Sequence, residues 1–362
     1  MGDGLVKQSP NLFAGNVFPP GRFLADSYFR FGALKARLRT DDFEFKDRFL
    51  RNFHDCQEQP EAWSDFPDVR LEVTSSFLGE PPVADISGLN TPSAGTVFVI
   101  LFPELDLVQT EPGSLESGQR YRARSHSSSG QAFVAIRGTR ITIDRELPWQ
   151  MMVAHYFLTH VMSLQPDLMF FHGATSAIGE KGLLLSGDKG SGKSTLSLAL
   201  AARGHGFLGD EIAAVHRITR TLLPFRRQAS MRHGPQSGAV ARYLRENEIE
   251  NETLPDGTVR FRAQVSSMFP AATARPVEFT HAFFLGERSK SPRVERFEFS
   301  SRDLPLIAPL HATLMNAPAG GQALSFAKLF GATRCHRLSP GGSPDETADL
   351  IENIVEEKWV TA

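Results

Sequence analysis

The residues of this chain best suited to chemistry fall between His172 and Arg232. Gly187-Asp188-Lys189-Gly190-Ser191-Gly192-Lys193-Ser194 fills every fixed position of G-x-x-x-x-G-K-[ST], with apolar LLLS before it and the Ala/Leu-rich run Thr195–Arg203 after it. Glycines at these positions let successive backbone N–H groups turn inward onto phosphate oxygens, and the helix that follows adds its partial positive charge. The spacing predicts a triphosphate cradle from Gly187 to Thr195. Lys193 would meet the β- and γ-phosphate oxygens, and the Ser194 hydroxyl would be a ligand of the bridging Mg²⁺. ATP and Mg²⁺ are the cofactors to expect.

Asp210 and Glu211 end the next strand-like run, GFLG. A strand–helix–strand crossover of this length is expected to set that strand beside the one feeding the cradle, which brings a carboxylate to the metal and the γ-phosphate. One carboxylate can hold Mg²⁺ and the other can accept the proton of an attacking hydroxyl. Asp210 is favoured as base, with Glu211 or Asp210 beside Ser194 at the metal. Adjacent strand residues face opposite ways, so both acids share the site only if the chain is already turning there. The plain alternative is a pair of surface carboxylates closing a strand.

Between His216 and Arg245 there is no Asp or Glu, and several arginines occur instead. Arg226, Arg227 and Arg232 follow the acidic pair most closely and suit a bidentate clamp on a phosphoryl group or an acidic substrate. Arginines of a solvated loop are the competing reading. His172 precedes Gly173, where a backbone or ligand can approach closely. A histidine among apolar neighbours is otherwise an ordinary core group.

The elements that must position these residues are legible in outline. LMFFHGATSA from 168, a turn at IGEKG and then LLLSG read as two strands, with His172 on the first. Upstream, Trp149, Met152, Val153, Tyr156, Phe157, His160, Val161 and Leu164 recur at helical spacing and predict a helix with one buried stripe. A domain boundary is placed near 145, just before it, giving a strand-rich α+β N-terminal domain of unknown role over 1–145 and a catalytic domain over 146–362. Within the first, a short helix is expected around Phe45–His54, strands at Val97–Phe102, Ala132–Ile136 and Thr139–Ile143, and loops at 80–95 and 125–131. At the far end, Ser343, Pro344 and Glu346 predict the capping box of a structural helix, with Ile351, Ile354, Val355 and Trp359 on one face.

With these residues in place, FFHGATSAIGEKGLLLSGDKGSGKSTLSLALAARGHGFLGDEIAAV resembles the catalytic core of the HPr kinase/phosphorylase family, a likeness extending over about 168–235. The shared pattern is His172-Gly173, the loop ending Lys193-Ser194, Arg203-Gly204-His205, and the acidic pair. The resemblance implies an α/β P-loop kinase core and ATP-dependent phosphorylation of a serine-bearing peptide or protein. It also implies Asp210 as base and His172 beside the phosphates. The chain departs from the family in three ways: Asp210-Glu211 stands where two aspartates occur, Lys189 occupies a position usually without lysine, and no Glu-x-Arg-Gly signature is found. The resemblance therefore implies neither the reverse phosphorylase reaction nor HPr itself as acceptor.

Composition excludes several classes. The chain has 362 residues, 41% hydrophobic and 22% charged, with a formal net charge of −2, which argues against nucleic acid or an anionic membrane as partner. Cys56 and Cys335 have no metal or disulfide spacing, no secretory or lipidation pattern opens the sequence, and no apolar run suits a membrane span. A cytoplasmic protein is expected, with a homo-oligomer left open. Two other functions fit the cradle: a small-metabolite kinase of the shikimate or nucleotide-kinase type acting on a small-molecule hydroxyl, and a regulatory module that binds ATP without transfer. The strands before the cradle argue against the first, because those enzymes begin at the P-loop strand.

Overall fold

The computed structural model describes residues 24–40, 42–59, 69–74, 98–101, 120–127, 130–137, 140–143, 145–148, 154, 157–158, 161–162, 164–307 (without 233, 248, 250 and 254–256), 309–310 and 319–357. Side chains are described outside 69–70, 72–148, 252 and 319–322.

The first sheet contains β1 (Ser27–Phe31), β2 (Leu34–Thr40), β3 (Gln57–Glu58), β4 (Val69–Thr74), β5 (Phe98–Leu101), β6 (Arg120–Ser127) and β7 (Gly130–Arg137), in the order β3-β1-β2-β4-β6-β7-β5. A separate ribbon pairs β8 (Arg140–Ile143) with β9 (Arg145–Pro148). In β2, buried Leu34, Ala36, Leu38 and Thr40 alternate with half-exposed Lys35, Arg37 and Arg39, the period of a strand covered on one side. Helix α1 (Phe43–Asn52) starts at Asp42, whose carboxylate accepts from the Phe45 amide at 2.7 Å. That cap begins the helix two residues before the apolar pattern does.

Segment 125–131, read as a loop, is instead mostly strand: β6 and β7 pair from Arg120↔Arg137 to Ser127↔Gly130. Ser125 and Ser127 are tolerated in β6 because the partner strand satisfies backbone groups. The expected loop at 80–95 lies outside the described residues, as do Trp149, Met152, Val153, Tyr156, His160 and Trp359. Of the expected stripe, Phe157 and Val161 are helical and buried and Leu164 lies in a turn, half-buried, while Ala154, Leu158 and Met162, outside that stripe, are helical and buried too, so burial is not confined to one stripe.

The second sheet follows the order β10-β14-β15-β19-β12-β11-β13, with β21 on β19 and β20 on β21. Its strands are β10 (Leu168–Phe171), β11 (Ala174–Ile178), β12 (Lys181–Gly187), β13 (Gly206–Gly209), β14 (Ala213–His216), β15 (Thr221–Leu223), β19 (Val277–Leu285), β20 (Arg293–Phe297) and β21 (Arg334–Ser339). A third, small sheet consists of β16 (Ala229–Arg232), β17 (Asn251–Thr253) and β18 (Val259–Ala263), in the order β16-β18-β17. The remaining helices are α2 (Lys193–Ala201), α3 (Gly238–Glu246), α4 (Val265–Met268), α5 (Ala319–Gly331) and α6 (Pro344–Val355).

In the second sheet β12, β19 and β21 run parallel, so Gly187, Leu285 and Ser339 end on one edge. Loops at the carboxyl ends of parallel strands are where α/β sheets bind ligands. Two details differ from the sequence reading. Residues 168–178 are two strands broken at His172-Gly173, with β10 paired to β14 and β11 to β12. The strand carrying the acidic pair is not beside the P-loop strand, because the β11 hairpin arm occupies that position and β13 pairs with β11.

Candidate active site

Gly187 ends β12 with φ +150, and a Cβ there would lie 2.7 Å from the Leu285 carbonyl of β19. Glycine is required for the loop to leave the sheet at this point. Gly190 (φ +93) and Gly192 (φ +105) also occupy the left-handed region, curling the loop over the first turn of α2. Gly192 is the helix N-cap and no side chain caps the turn, so its first amides are available to an anion. Lys193 is buried, and its ammonium donates to the Gly187 carbonyl at 2.6 Å and the Asp188 carbonyl at 3.0 Å. Burial lowers its pKa, while Asp210, Asp188 and Glu211 oppose that shift.

The Ser194 hydroxyl donates to Asp210 Oδ1 at 2.9 Å, which joins loop and acidic strand directly. Asp210 is 2% exposed, and its carboxyl is pushed up to about 6, first by burial and then by the neighbouring Glu211 charge. The Glu211 amide donates to the same Oδ1 at 3.0 Å. Glu211 itself has φ +68, a left-handed turn just past Gly209. That turn overrides strand alternation, so both acids line the same cavity. Arg227 donates to Glu211 Oε2 at 3.1 Å and holds that carboxylate from outside.

The cavity measures about 400 Å³. Lys189 through Thr195, Asp210, Glu211, His172 and Arg232 line it. Gly187 and Asp188 form the base of the loop behind the lining. His172 sits in the bend between β10 and β11 rather than on a strand, and the bend is tight: a Cβ on Gly173 would be 2.8 Å from the Leu185 carbonyl. Arg226 and Arg227 do not line the cavity. Arg226 turns toward the N-terminal region, 3.2 Å from Asp55 Oδ2, because the 224–228 segment passes the C-terminal end of α1, where the Gln228 amide donates to the Asn52 carbonyl at 2.8 Å.

Arg260 on β18, Arg288 after β19, and Ser343, Pro344 and Thr347 at the start of α6 also line the cavity and were missed from sequence. Arg288 follows β19, and only the parallel pairing of β19 with β12 brings it to the ligand-binding edge. Arg260 likewise had no signal in the sequence, because β16 and β18 become neighbours only in three dimensions. The α6 capping box forms as expected, yet its Ser343 faces the cavity as well as the helix.

Ser194 and Asp210 put two hard oxygens 2.9 Å apart at the mouth of the loop. Such a pair fits Mg²⁺, which takes one or two protein ligands and fills its octahedron with phosphate and water. Among the described residues no cluster of three or more His, Cys, Asp or Glu side chains offers an all-protein metal cage.

No family model matches the chain. The chain is similar to an HPr kinase/phosphorylase of Chromobacterium violaceum, 36% identical over 73 residues, or 20% of this chain and 22% of the relative. It is also 40% identical over 47 residues to an HPr kinase/phosphorylase of Nitrosomonas europaea, covering 13% and 15% of the two chains. The chain thus spans about a fifth or less of the curated relatives it matches. The solved structure of the Hpr(Ser) kinase/phosphatase from Coxiella burnetii overlays 52% of this chain and 95% of its own, at 16% identity and a TM-score of 0.26.

Proposed function

We propose that this chain is an ATP-dependent, HPr-kinase-like kinase that transfers a γ-phosphoryl group to the serine hydroxyl of a peptide or protein. The observation carrying this reading is the Ser194–Asp210 contact, which sets a buried, proton-avid carboxylate at the open end of a phosphate loop. A carboxylate whose pKa is raised toward neutrality suits proton abstraction better than an ordinary surface aspartate.

In this reading the amides of 189–194 cradle the phosphates, and the Lys193 ammonium exchanges its loop carbonyls for phosphate oxygens. Bound Mg²⁺ would supply charge neutralisation between the phosphates, held by Ser194 with Asp210 or Glu211. Asp210 takes the proton from the acceptor hydroxyl, and the adjoining Glu211, fixed by Arg227, helps to raise its basicity. Arg232 reaches over the loop, 3.6 Å from where a Gly190 Cβ would be, and clamps the phosphoryl group in transit. His172 borders the same space and orders the phosphate side of the cavity. Residues 146–362 would form the catalytic unit and 1–145 an accessory domain. Cys56 and Cys335, both free and buried, suit a cytoplasmic setting. Among the described residues no helix is long and apolar enough to cross a membrane.

The test is incubation with labelled ATP, Mg²⁺ and serine-bearing peptides, followed by mass detection of phosphoserine. Label on a peptide serine is the expected result. Nucleotide binding with no transfer to any hydroxyl would leave the chain an ATP-binding module, and label on a small metabolite alone would make it a metabolite kinase.

A further inference from the structure

On the small third sheet, β16 and β18 pair antiparallel with Ser230↔Arg262 and Arg232↔Arg260 in register. Strand alternation puts those four residues on one face and Ala229, Met231, Phe261 and Ala263 on the other. The apolar face is core, with Ala229 0%, Met231 2% and Ala263 4% exposed. The polar face therefore looks toward the phosphate loop, and Ser230, Arg232 and Arg260 line the cavity. Directly opposed like charges destabilise an antiparallel pair. No carboxylate among the described side chains pairs with Arg232 or Arg260, and Arg260 makes a single hydrogen bond, to the Ser230 hydroxyl at 3.4 Å. Glu252 is in register with Arg260 on β17, on the side away from Arg232.

The cavity wall is more cationic than a nucleotide requires. Lys189, Lys193, Arg232, Arg260 and Arg288 face only Asp210 and Glu211. Lys193 and the loop amides serve the phosphates, and Arg288 is turned to the Gly342 carbonyl at 3.1 Å. In the kinase reading Arg232 serves the phosphoryl group as well, which leaves Arg260 on the wall formed by the third sheet with no described carboxylate side chain paired to it.

Resting on the kinase reading, we propose that the acceptor is a serine flanked by acidic side chains, and that Arg260, with Arg232 beside it, seats a flanking carboxylate while the serine hydroxyl faces Asp210. A guanidinium pair in register matches a carboxylate in bidentate geometry, and its occupation relieves the repulsion across the strands.

The test uses the full chain with Mg²⁺ and a non-hydrolysable ATP analogue, and two peptides that differ only in having Glu or Gln on both sides of a central serine. By calorimetry the Glu peptide is expected to bind about tenfold tighter or more, the scale of one charge-assisted pair. Arg260→Gln should abolish that preference and leave the affinity for the analogue unchanged, and Arg260→Lys should restore part of it. Equal affinities for the two peptides, loss of analogue affinity in Arg260→Gln, or tighter binding of glycerol phosphate than of the Glu peptide would each overturn the proposal. With ATP in place of the analogue, a bound Glu peptide that receives no phosphate counts against the kinase reading alone, whereas equal phosphorylation of both peptides counts against acidic recognition alone.

Discussion

In the proposed reaction Lys193 holds phosphate and Asp210 moves a proton, so their removal should fail in different ways. Lys193→Ala deletes the ammonium and leaves the Gly187 and Asp188 carbonyls without their donor. Nucleotide affinity measured by calorimetry should fall about tenfold or more, and turnover by about 10²-fold or more; unchanged affinity and rate would sink the phosphate-loop assignment. Asp210→Asn keeps the shape and an acceptor for Ser194 but cannot take a proton. Nucleotide affinity should stay within a few-fold while transfer drops by about 10²–10⁴-fold. Full transfer by this variant would mean that another group is the base.

At the scale of elements, the P-loop strand is fixed by close backbone approach on both sides. Gly173→Ala would drive a Cβ into the Leu185 carbonyl at 2.8 Å and Leu184 Cδ1 at 2.7 Å, neither of which is free to move in a strand centre. It should destabilise the fold by about 1–3 kcal/mol in denaturant titration, with nucleotide affinity reduced as β12 shifts. No change in either measurement would show that the bend is not a constraint.

A second element effect concerns β19 and β21, where buried His281 and His336 stack with ring centroids 5.8 Å apart. Burial pushes their pKa values down, to about 3 for His281 and about 4 for His336, with Arg334 acting in the same direction on both. Unfolded histidines titrate near 6.5, so below that pH the unfolded chain binds protons that the folded chain refuses. Stability present at neutral pH should therefore be lost as pH falls from about 6.5 toward 4, by up to about 1.4 kcal/mol per pH unit for each ring. His336→Phe, which can stack on Phe283 as the imidazole does at 4.9 Å, should flatten that loss between pH 7.5 and 5. An identical pH slope in the variant would refute the assignment.

For the whole molecule, the core does not respect the boundary drawn near 145. Phe31 of the first sheet lies 5.2 Å from Phe53, 5.9 Å from Phe157 and 5.7 Å from Phe225, ring centre to ring centre. A buried ion pair, Asp55 with Arg226, adds a polar tie between α1's end and the segment that carries Arg227 to Glu211. Phe31→Ala should cost about 3–5 kcal/mol and lower the melting temperature of the second sheet along with the N-terminal sheet, in one transition. Two separated transitions, with only the first moved, would show that the aromatic cluster does not couple them.

The phosphate loop, its flanking strand and helix, the acidic pair and the α6 capping box were legible in sequence because each is set by residues within a few positions of one another. Glycine φ requirements, cap chemistry and apolar periodicity are local, and local rules survive without knowledge of the fold. Where Arg226, Arg260 and Arg288 ended up was decided by tertiary structure: the first was drawn to Asp55, and the other two reached the cavity through strand pairings and parallel strand ends far apart in the chain. Likewise, β13 is separated from β12 because a hairpin arm already occupies that edge, and the left-handed turn at Glu211 that gathers the two acids falls on a residue type that does not announce it. Arginine's long side chain and the non-local nature of sheet order make both outcomes invisible to spacing, while the geometry of a glycine loop is written where it is used.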